Sequence, residues 1–289
     1  MKVLLVPNHS REDAIAGARE LEAWLEGEGV EVAWAHDKRL FPNLRTSAEG
    51  CDLVVSLGGD GTLLRAAKIV GYSEIPIVGI SYGHLGFLTT SAPDGLIATV
   101  GAALAGELHV SRRATLAVTA DFERADGSTY TLESFALNDL AISRGGQGAV
   151  IEFDISVSGH HIDRLRGDGF IVSTATGSTG YALAAGGPIV TPEFTGMVCV
   201  PVAPHTIMAR AFLTSPSDVV EISMSPDRPV KRHFFADGQP LGEENGNEGF
   251  EGMRVMVSRG PGDILLLDHS AQSFYQSVSR VFYGKTGGK

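Results

Sequence analysis

Cysteine is almost missing from this chain: 289 residues contain two, Cys51 and Cys199. That is too few for a disulfide framework or a zinc site, and a reducing cytosol is the simplest setting. Basic charge is short as well, with 23 Lys and Arg against 34 Asp and Glu, a formal net charge of −11. Such a balance argues against a general nucleic-acid surface or an anionic membrane surface. An anionic nucleotide must then be met by local donors rather than by a global field. No apolar run approaches membrane-spanning length, and the N-terminal run at 3–6 is far too short for a signal peptide. A cytoplasmic location is expected. No internal repeat and no flexible linker interrupts the sequence.

What remains is a globular composition, 43% hydrophobic and 20% charged, with 36 glycines. The first hundred residues alternate strand-like and helix-like patterns. Residues 3–6 read as a buried strand, and Ala14, Ala18, Leu21 and Leu25 then share one helical face. Val30, Val32 and Trp34 alternate as in a half-buried strand, and 53–57 and 76–80 are further buried strands. Strands separated by helices predict a parallel sheet with right-handed crossovers, whose ligands gather at the carboxyl ends of the strands.

The pattern changes near residue 108. Leu116, Val118 and Ala120 alternate with polar or small neighbours, as do Tyr130 and Leu132, with 124–128 as the hairpin turn. Further strands are predicted at 153–157, 169–173, 198–202, 219–224 and 254–258. The division expected is an α/β domain over 1–107 and a β-rich domain over 108–272. Phe274, Val278, Val281 and Phe282 stand at helical spacing, so 273–283 should form a final docked helix, with 284–289 frayed.

The segment with most chemistry is Gly58-Gly59-Asp60-Gly61-Thr62, between the 53–57 strand and a helical stretch from Leu63. A strand running through glycines into a helix presents backbone N–H groups and a positive helix end to phosphate. A carboxylate is unexpected in a loop that only grips anions. Asp60 instead suits taking a proton from a hydroxyl or holding a divalent cation between phosphates, which points to phosphoryl transfer. The plain alternative is a strand-to-helix turn whose Asp caps the helix.

A second strand–loop–helix arrangement runs from 170–172 through Ser173, Thr174, Thr176, Ser178, Thr179, Gly180 and Tyr181. It is rich in hydroxyls and lacks charge, a surface suited to ribose, phosphate or amide; a hydroxyl-capped helix start with Tyr181 in the core is the alternative. Asn138 and Asp139 place two polar side chains within the apolar 136–142 run. A vicinal diol on a ribose satisfies both, and so does a strand-end turn. Arg166 and Asp168 precede the 170–172 strand, either as ligand contacts or as a pair stabilising a turn. Residues 234–239, with Asp237-Gly238 at their centre, carry a type I′ hairpin signal and read as structural. Among the nine histidines only the adjacent His160 and His161 approach metal-ligand spacing, and these read as a solvent-facing turn.

Taken in order, the Gly58–Thr62 loop, residues 83–87, Asn138-Asp139, residues 166–169, residues 174–181 with Gly186-Gly187-Pro188, and Pro204-His205-Thr206 resemble the NAD kinase family. The first loop is shared with lipid kinases and phosphofructokinases; the 176–181 loop is more discriminating. The resemblance implies an α/β domain, a β-rich domain and a final helix returning to the first. It implies transfer of the terminal phosphoryl of ATP, or of polyphosphate, to the adenosine 2′-hydroxyl of NAD, with Mg²⁺ or another divalent cation. It also implies a homodimer or homotetramer. By the same resemblance Asp60 is the catalytic residue, flanked by the phosphate-loop residues Gly58, Gly59 and Thr62 and by Gly61. Phe87 lines the adenine side, Asn138 and Asp139 hold ribose and adenine groups, Thr179, Gly180 and Tyr181 contact base and ribose, and Arg166 and Asp168 lie near the nicotinamide half. Three residues depart from the family pattern: Asp139 where Glu is more frequent, Ala175 in place of Pro, and Gly180 in place of Ala.

Two other classes compete. A lipid kinase of the diacylglycerol type shares the first loop, but its membrane-facing surface conflicts with the charge of −11. A non-catalytic NAD-sensing module gains nothing from a carboxylate beside phosphates.

Overall fold

The computed structural model describes every residue except 38, 42–43, 84–85, 125, 146–149, 226–231, 243–249, 271–272 and 285–289. His84 and Leu85, the hairpin residue Ala125 and most of the expected frayed tail therefore lie outside the described residues. The chain divides into two compact units, Met1–Arg113 with Gly262–Lys289, and Ala114–Pro261.

The first unit opens with β1 (Lys2–Pro7), α1 (Glu12–Gly27), β2 (Glu31–Trp34), β3 (Leu53–Gly58), α2 (Asp60–Val70), β4 (Ile77–Ser81), α3 (Leu96–Leu104) and β5 (His109–Arg113). The second unit contributes β6 (Leu116–Arg124), β7 (Thr129–Ala136), β8 (Asp139–Arg144), β9 (Ile151–Val157), β10 (His160–Gly167), β11 (Gly169–Ser173), the single turn α4 (Tyr181–Ala184), β12 (Val198–Val202), β13 (Phe212–Leu213), β14 (Val219–Met224), β15 (Arg232–Ala236), β16 (Gln239–Pro240) and β17 (Phe250–Arg259). The chain then returns to the first unit as β18 (Ile264–Asp268) and α5 (Ser273–Tyr283).

In the first unit the strand order is β2-β1-β3-β4-β18-β5. β1 through β4 are parallel, β18 joins β4 in parallel, and β5 pairs antiparallel with β18. Every residue of β3 and β4 is buried, as in a sheet covered on both faces. Helix α1 lays Ala14, Ala18, Leu21 and Leu25 into this core at zero exposure, and each leucine there contributes roughly 1.5–3 kcal/mol of burial. The sequence pattern broke near residue 108, but β5 and β18 complete this first sheet, so the unit boundaries fall at Arg113 and Gly262. An antiparallel pair at the edge of a parallel sheet gives no alternation that separates it from the strands that follow.

The second unit holds two antiparallel sheets, β10-β9-β14-β17-β6-β7 and β13-β12-β11-β8-β15-β16. Inward residues of both sheets, among them Phe122, Phe153, Phe170, Ile222 and Phe234, form one core. Among the described residues no helix is long and apolar enough to cross a membrane.

Candidate active site

In the first unit β3 ends at Gly58 and α2 begins at Asp60, with Gly59 as an extended N-cap (φ −109°, ψ −170°). Thr62 and Leu63 close the first helical turn by donating to the Gly59 carbonyl at 2.9 and 3.2 Å. The N–H groups of Asp60 and Gly61 precede any helical carbonyl able to accept them, so they point outward at the positive end of an 11-residue helix. Gly58 answers to close packing: a Cβ there would overlap the Thr62 side chain and sit 3.1 Å from Asn8 Cβ. The β1–α1 loop is pinned beside it, because Asn8 N–H donates to the Leu57 carbonyl at 2.8 Å.

Asp60 is held from one side only. Phe87 N–H donates to its Oδ2 at 3.3 Å, while Oδ1 is buried and has no hydrogen-bond partner among the described residues. Gly86 lies so near that a Cβ would overlap the carboxylate. Burial raises the Asp60 pKa above the ordinary aspartate value, and the N–H groups of Phe87 and Leu88 draw it back in part. Asp60 therefore does not cap its helix, and the plain turn reading fails on that point. The Phe87 ring packs on α5, stacked with Phe282 at 5.8 Å and tilted against Phe274 at 6.4 Å, and Arg280 of α5 donates to the Gly86 carbonyl at 3.4 Å.

A cavity of about 700 Å³ opens at the carboxyl ends of β1 and β2, lined by His9, Trp34, His36, Arg39, Leu40 and Phe41. Its lining joins aromatic and charged groups: the His36 and Phe41 rings meet edge to face at 6.3 Å, and Arg39 pairs with Asp37 at 2.7 Å. Arg65 of α2 ties this cavity to the glycine loop: its guanidinium donates to the Pro7 carbonyl at 3.3 Å and to the His36 carbonyl. Sequence reasoning missed these residues. Aromatic side chains just beyond the second strand of a parallel sheet were the available signal.

In the second unit Asn138 sits in the bend just before β8 rather than inside a strand. The following loop is stitched onto that bend. Thr174 N–H donates to the Asn138 carbonyl at 2.8 Å, Thr174 Oγ1 to the Leu137 carbonyl at 2.7 Å, and Ser173 Oγ to the Asn138 carbonyl at 3.1 Å. Gly177 is required by this approach, since a Cβ would overlap the Asn138 carbonyl oxygen. Asn138, Asp139, Thr179 and Gly180 thus come together, with Gly180 4.0 Å (measured from an added Cβ) from Asn138 Nδ2. Asn138 Oδ1 is buried and has no partner among the described residues. Asp139 is buried, and its pKa is pushed up to about 7, first by desolvation and then by the charge of Asp237. Tyr181 begins α4 and is 46% exposed, so it is not a core residue.

Arg166 and Asp168 do not pair with each other. Arg144 Nε donates to Asp168 Oδ1 at 2.6 Å, and Arg166 Nε lies 3.6 Å from Glu152 Oε2. Asp237 adopts a left-handed φ of +49° and Gly238 one of +73°, as a type I′ turn demands. The carboxylate of Asp237 also reaches the Asn138 bend, a role that the hairpin signal alone does not carry.

Two family descriptions match the chain, the ATP-NAD kinase N-terminal domain over residues 39–108 and the ATP-NAD kinase C-terminal domain over residues 137–262. A NAD kinase of Nitrosospira multiformis is 34% identical over 284 residues, 96% of this chain and 93% of the relative. One of Geobacter metallireducens is 39% identical over 228 residues, 77% of this chain and 78% of the relative. Among solved structures, a NAD kinase from Archaeoglobus fulgidus in complex with ATP is 25% identical with a TM-score of 0.72, covering 97% of both chains. Yeast NADH kinase complexed with NADH shares the fold at 19% identity and a TM-score of 0.84, covering 100% of this chain and 89% of that one. With such identity to NAD kinases across nearly its whole length, this chain belongs to the NAD kinase family.

Proposed function

We propose that the chain converts NAD to NADP by moving the terminal phosphoryl group of ATP onto the 2′-hydroxyl of the adenosine ribose, with Asp60 as the base. The observation that carries this reading is the Asp60 carboxylate itself, one oxygen fixed by Phe87 N–H and the other buried with no partner among the described residues. The hydroxyl O–H bond breaks as its proton passes to Asp60. The ribose oxygen bonds to the γ-phosphorus, the bond to the bridging β–γ oxygen breaks, and ADP leaves. A secondary alcohol is a poor nucleophile, and a positioned base supplies about 10²–10⁴-fold. A pKa raised by burial improves Asp60 as that base by strengthening its hold on the proton. Most of the remaining acceleration comes from in-line positioning and charge neutralisation.

The N–H groups of Asp60 and Gly61 at the start of α2, with Gly58, Gly59 and Thr62 shaping the turn, receive phosphate oxygens. Among the described residues no cluster of three His, Cys, Asp or Glu side chains stands ready to hold a metal. A divalent cation would therefore arrive with the triphosphate, held by its oxygens, which leaves Asp60 Oδ1 to the hydroxyl proton. Mg²⁺ carried on the triphosphate would neutralise charge on the transferring group. The adenosine of ATP lies in the cavity at the ends of β1 and β2, whose volume and aromatic lining suit a purine nucleoside.

NAD is held by the second unit. Asn138 and Asp139 take the adenosine ribose and base, Thr179 and Gly180 contact the same nucleoside, and the exposed Tyr181 ring offers a stacking face. Arg166 and Asp168, each anchored by an ion pair, lie toward the nicotinamide half. Steady-state kinetics and NAD titration of Asp60→Asn test the reading. It predicts NAD affinity within about threefold of wild type and kcat lower by about 10²–10⁴. Full turnover in that variant would remove Asp60 from its role.

A further inference from the structure

Asp237 lies a hundred residues from the acceptor-binding bend and makes more contacts with its backbone than any hairpin requires. Its Oδ2 accepts Leu137 N–H at 2.8 Å, and its Oδ1 accepts Asn138 N–H at 2.7 Å and Asp139 N–H at 3.2 Å. Its own N–H donates to the Asp139 carbonyl at 2.9 Å. From the other side Ser173 and Thr174 bond the carbonyls of Leu137 and Asn138. One carboxylate thus gathers three consecutive amides, while two hydroxyl residues hold the carbonyls between them. The peptide groups of the bend are consumed by protein, and the side-chain oxygen left over, Asn138 Oδ1, is buried with no partner among the described residues.

A bend whose backbone is fixed on both sides while its side chains are left open is built to present those side chains. We infer that Asp237 is a positioning residue of the acceptor site: through its carboxylate it sets the Leu137–Asp139 backbone so that the Asn138 amide and the Asp139 carboxyl meet the adenosine of NAD. This rests on the reading of Asn138 and Asp139 as acceptor contacts. The same carboxylate supplies the charge that, after burial, raises the Asp139 pKa, so Asp139 offers a proton as well as an acceptor.

The left-handed φ of +49° makes the test practicable. Asn and Gly both tolerate that conformation, so Asp237→Asn and Asp237→Gly keep the turn while removing part or all of the acceptor. The structure predicts a ladder in NAD affinity. Asp237→Asn weakens NAD binding about tenfold, which is about 1.4 kcal/mol, and Asp237→Gly weakens it further. The KM for ATP stays within about twofold, and amide exchange at Leu137–Asp139 quickens in both variants. A purely structural Asp237 gives faster exchange and a lower melting temperature with NAD affinity unchanged, which overturns the inference. Asn138→Ala, measured in parallel, separates the two claims. If it leaves NAD affinity intact, the acceptor reading fails; if it weakens NAD and the Asp237 variants do not, the positioning role alone fails.

Discussion

Asp60 and Phe87 are joined by one hydrogen bond, from the backbone N–H of Phe87 to Oδ2 at 3.3 Å, across 27 positions of sequence. It fixes the direction in which the free oxygen of the carboxylate points. Phe87 is itself held by rings of α5, so the final helix braces the segment that fixes the Asp60 carboxylate.

Gly86 completes this arrangement by leaving room, since a Cβ there would overlap the Asp60 carboxylate. Gly86→Ala should displace the Asp60 carboxylate by a fraction of an ångström or more. Displacements near 1 Å cost about 10²-fold in rate, so kcat should fall between about 10- and 100-fold with NAD affinity retained. Steady-state kinetics with both substrates varied checks this, and unchanged kcat would count against Asp60 as the proposed base.

Phe41 tests the proposed site for the adenosine of ATP. Phe41 lines the cavity at the ends of β1 and β2 and is a 52% exposed residue, so removing its ring should leave the fold intact. A base–aromatic contact is worth about 1–3 kcal/mol, and Phe41→Ala should raise the KM for ATP about tenfold while the KM for NAD stays within twofold. Unchanged ATP kinetics would place the purine elsewhere.

The Asp139 carboxyl gives a stability prediction with a definite sign. In the folded chain its pKa is pushed up to about 7, against about 3.9 when unfolded. Between those values the folded state binds more protons, so this group's contribution is fully present below about pH 4 and declines as pH rises to about 7. The loss has a ceiling of about 4 kcal/mol. Asp139→Asn stays neutral and escapes it. Chemical denaturation should therefore favour the variant more at about pH 8 than at about pH 5. A difference that does not change with pH would mean that Asp139 is already ionised at the lower value.

Local features were legible in the sequence because they are set by neighbours in the chain. Alternating strands and helices, the Gly58–Thr62 turn and the Asp237-Gly238 turn are all recovered in the structure. The partners of polar side chains were not, since they depend on register between distant strands. Arg166 and Asp168 stand two positions apart in sequence, yet each pairs with another strand, through Glu152 and Arg144. Asp237 carried a hairpin signal that was right about the turn and silent about three amides a hundred residues away. Phe87 is a loop residue by sequence, and its ring contacts appear only once α5 has docked. The cavity around Trp34, His36 and Phe41 is built from the end of β2 and the residues after it, which carry no periodic pattern.

Phosphoryl transfer from ATP to the adenosine sugar of NAD is read by incubating the full chain with ATP labelled at the γ-phosphate, Mg²⁺ and NAD, with diacylglycerol in a parallel reaction. Labelled NADP carrying the phosphate on the adenosine 2′-oxygen is expected, and no labelled lipid. Saturable NAD binding with no labelled dinucleotide, or label appearing in the lipid instead, would contradict it.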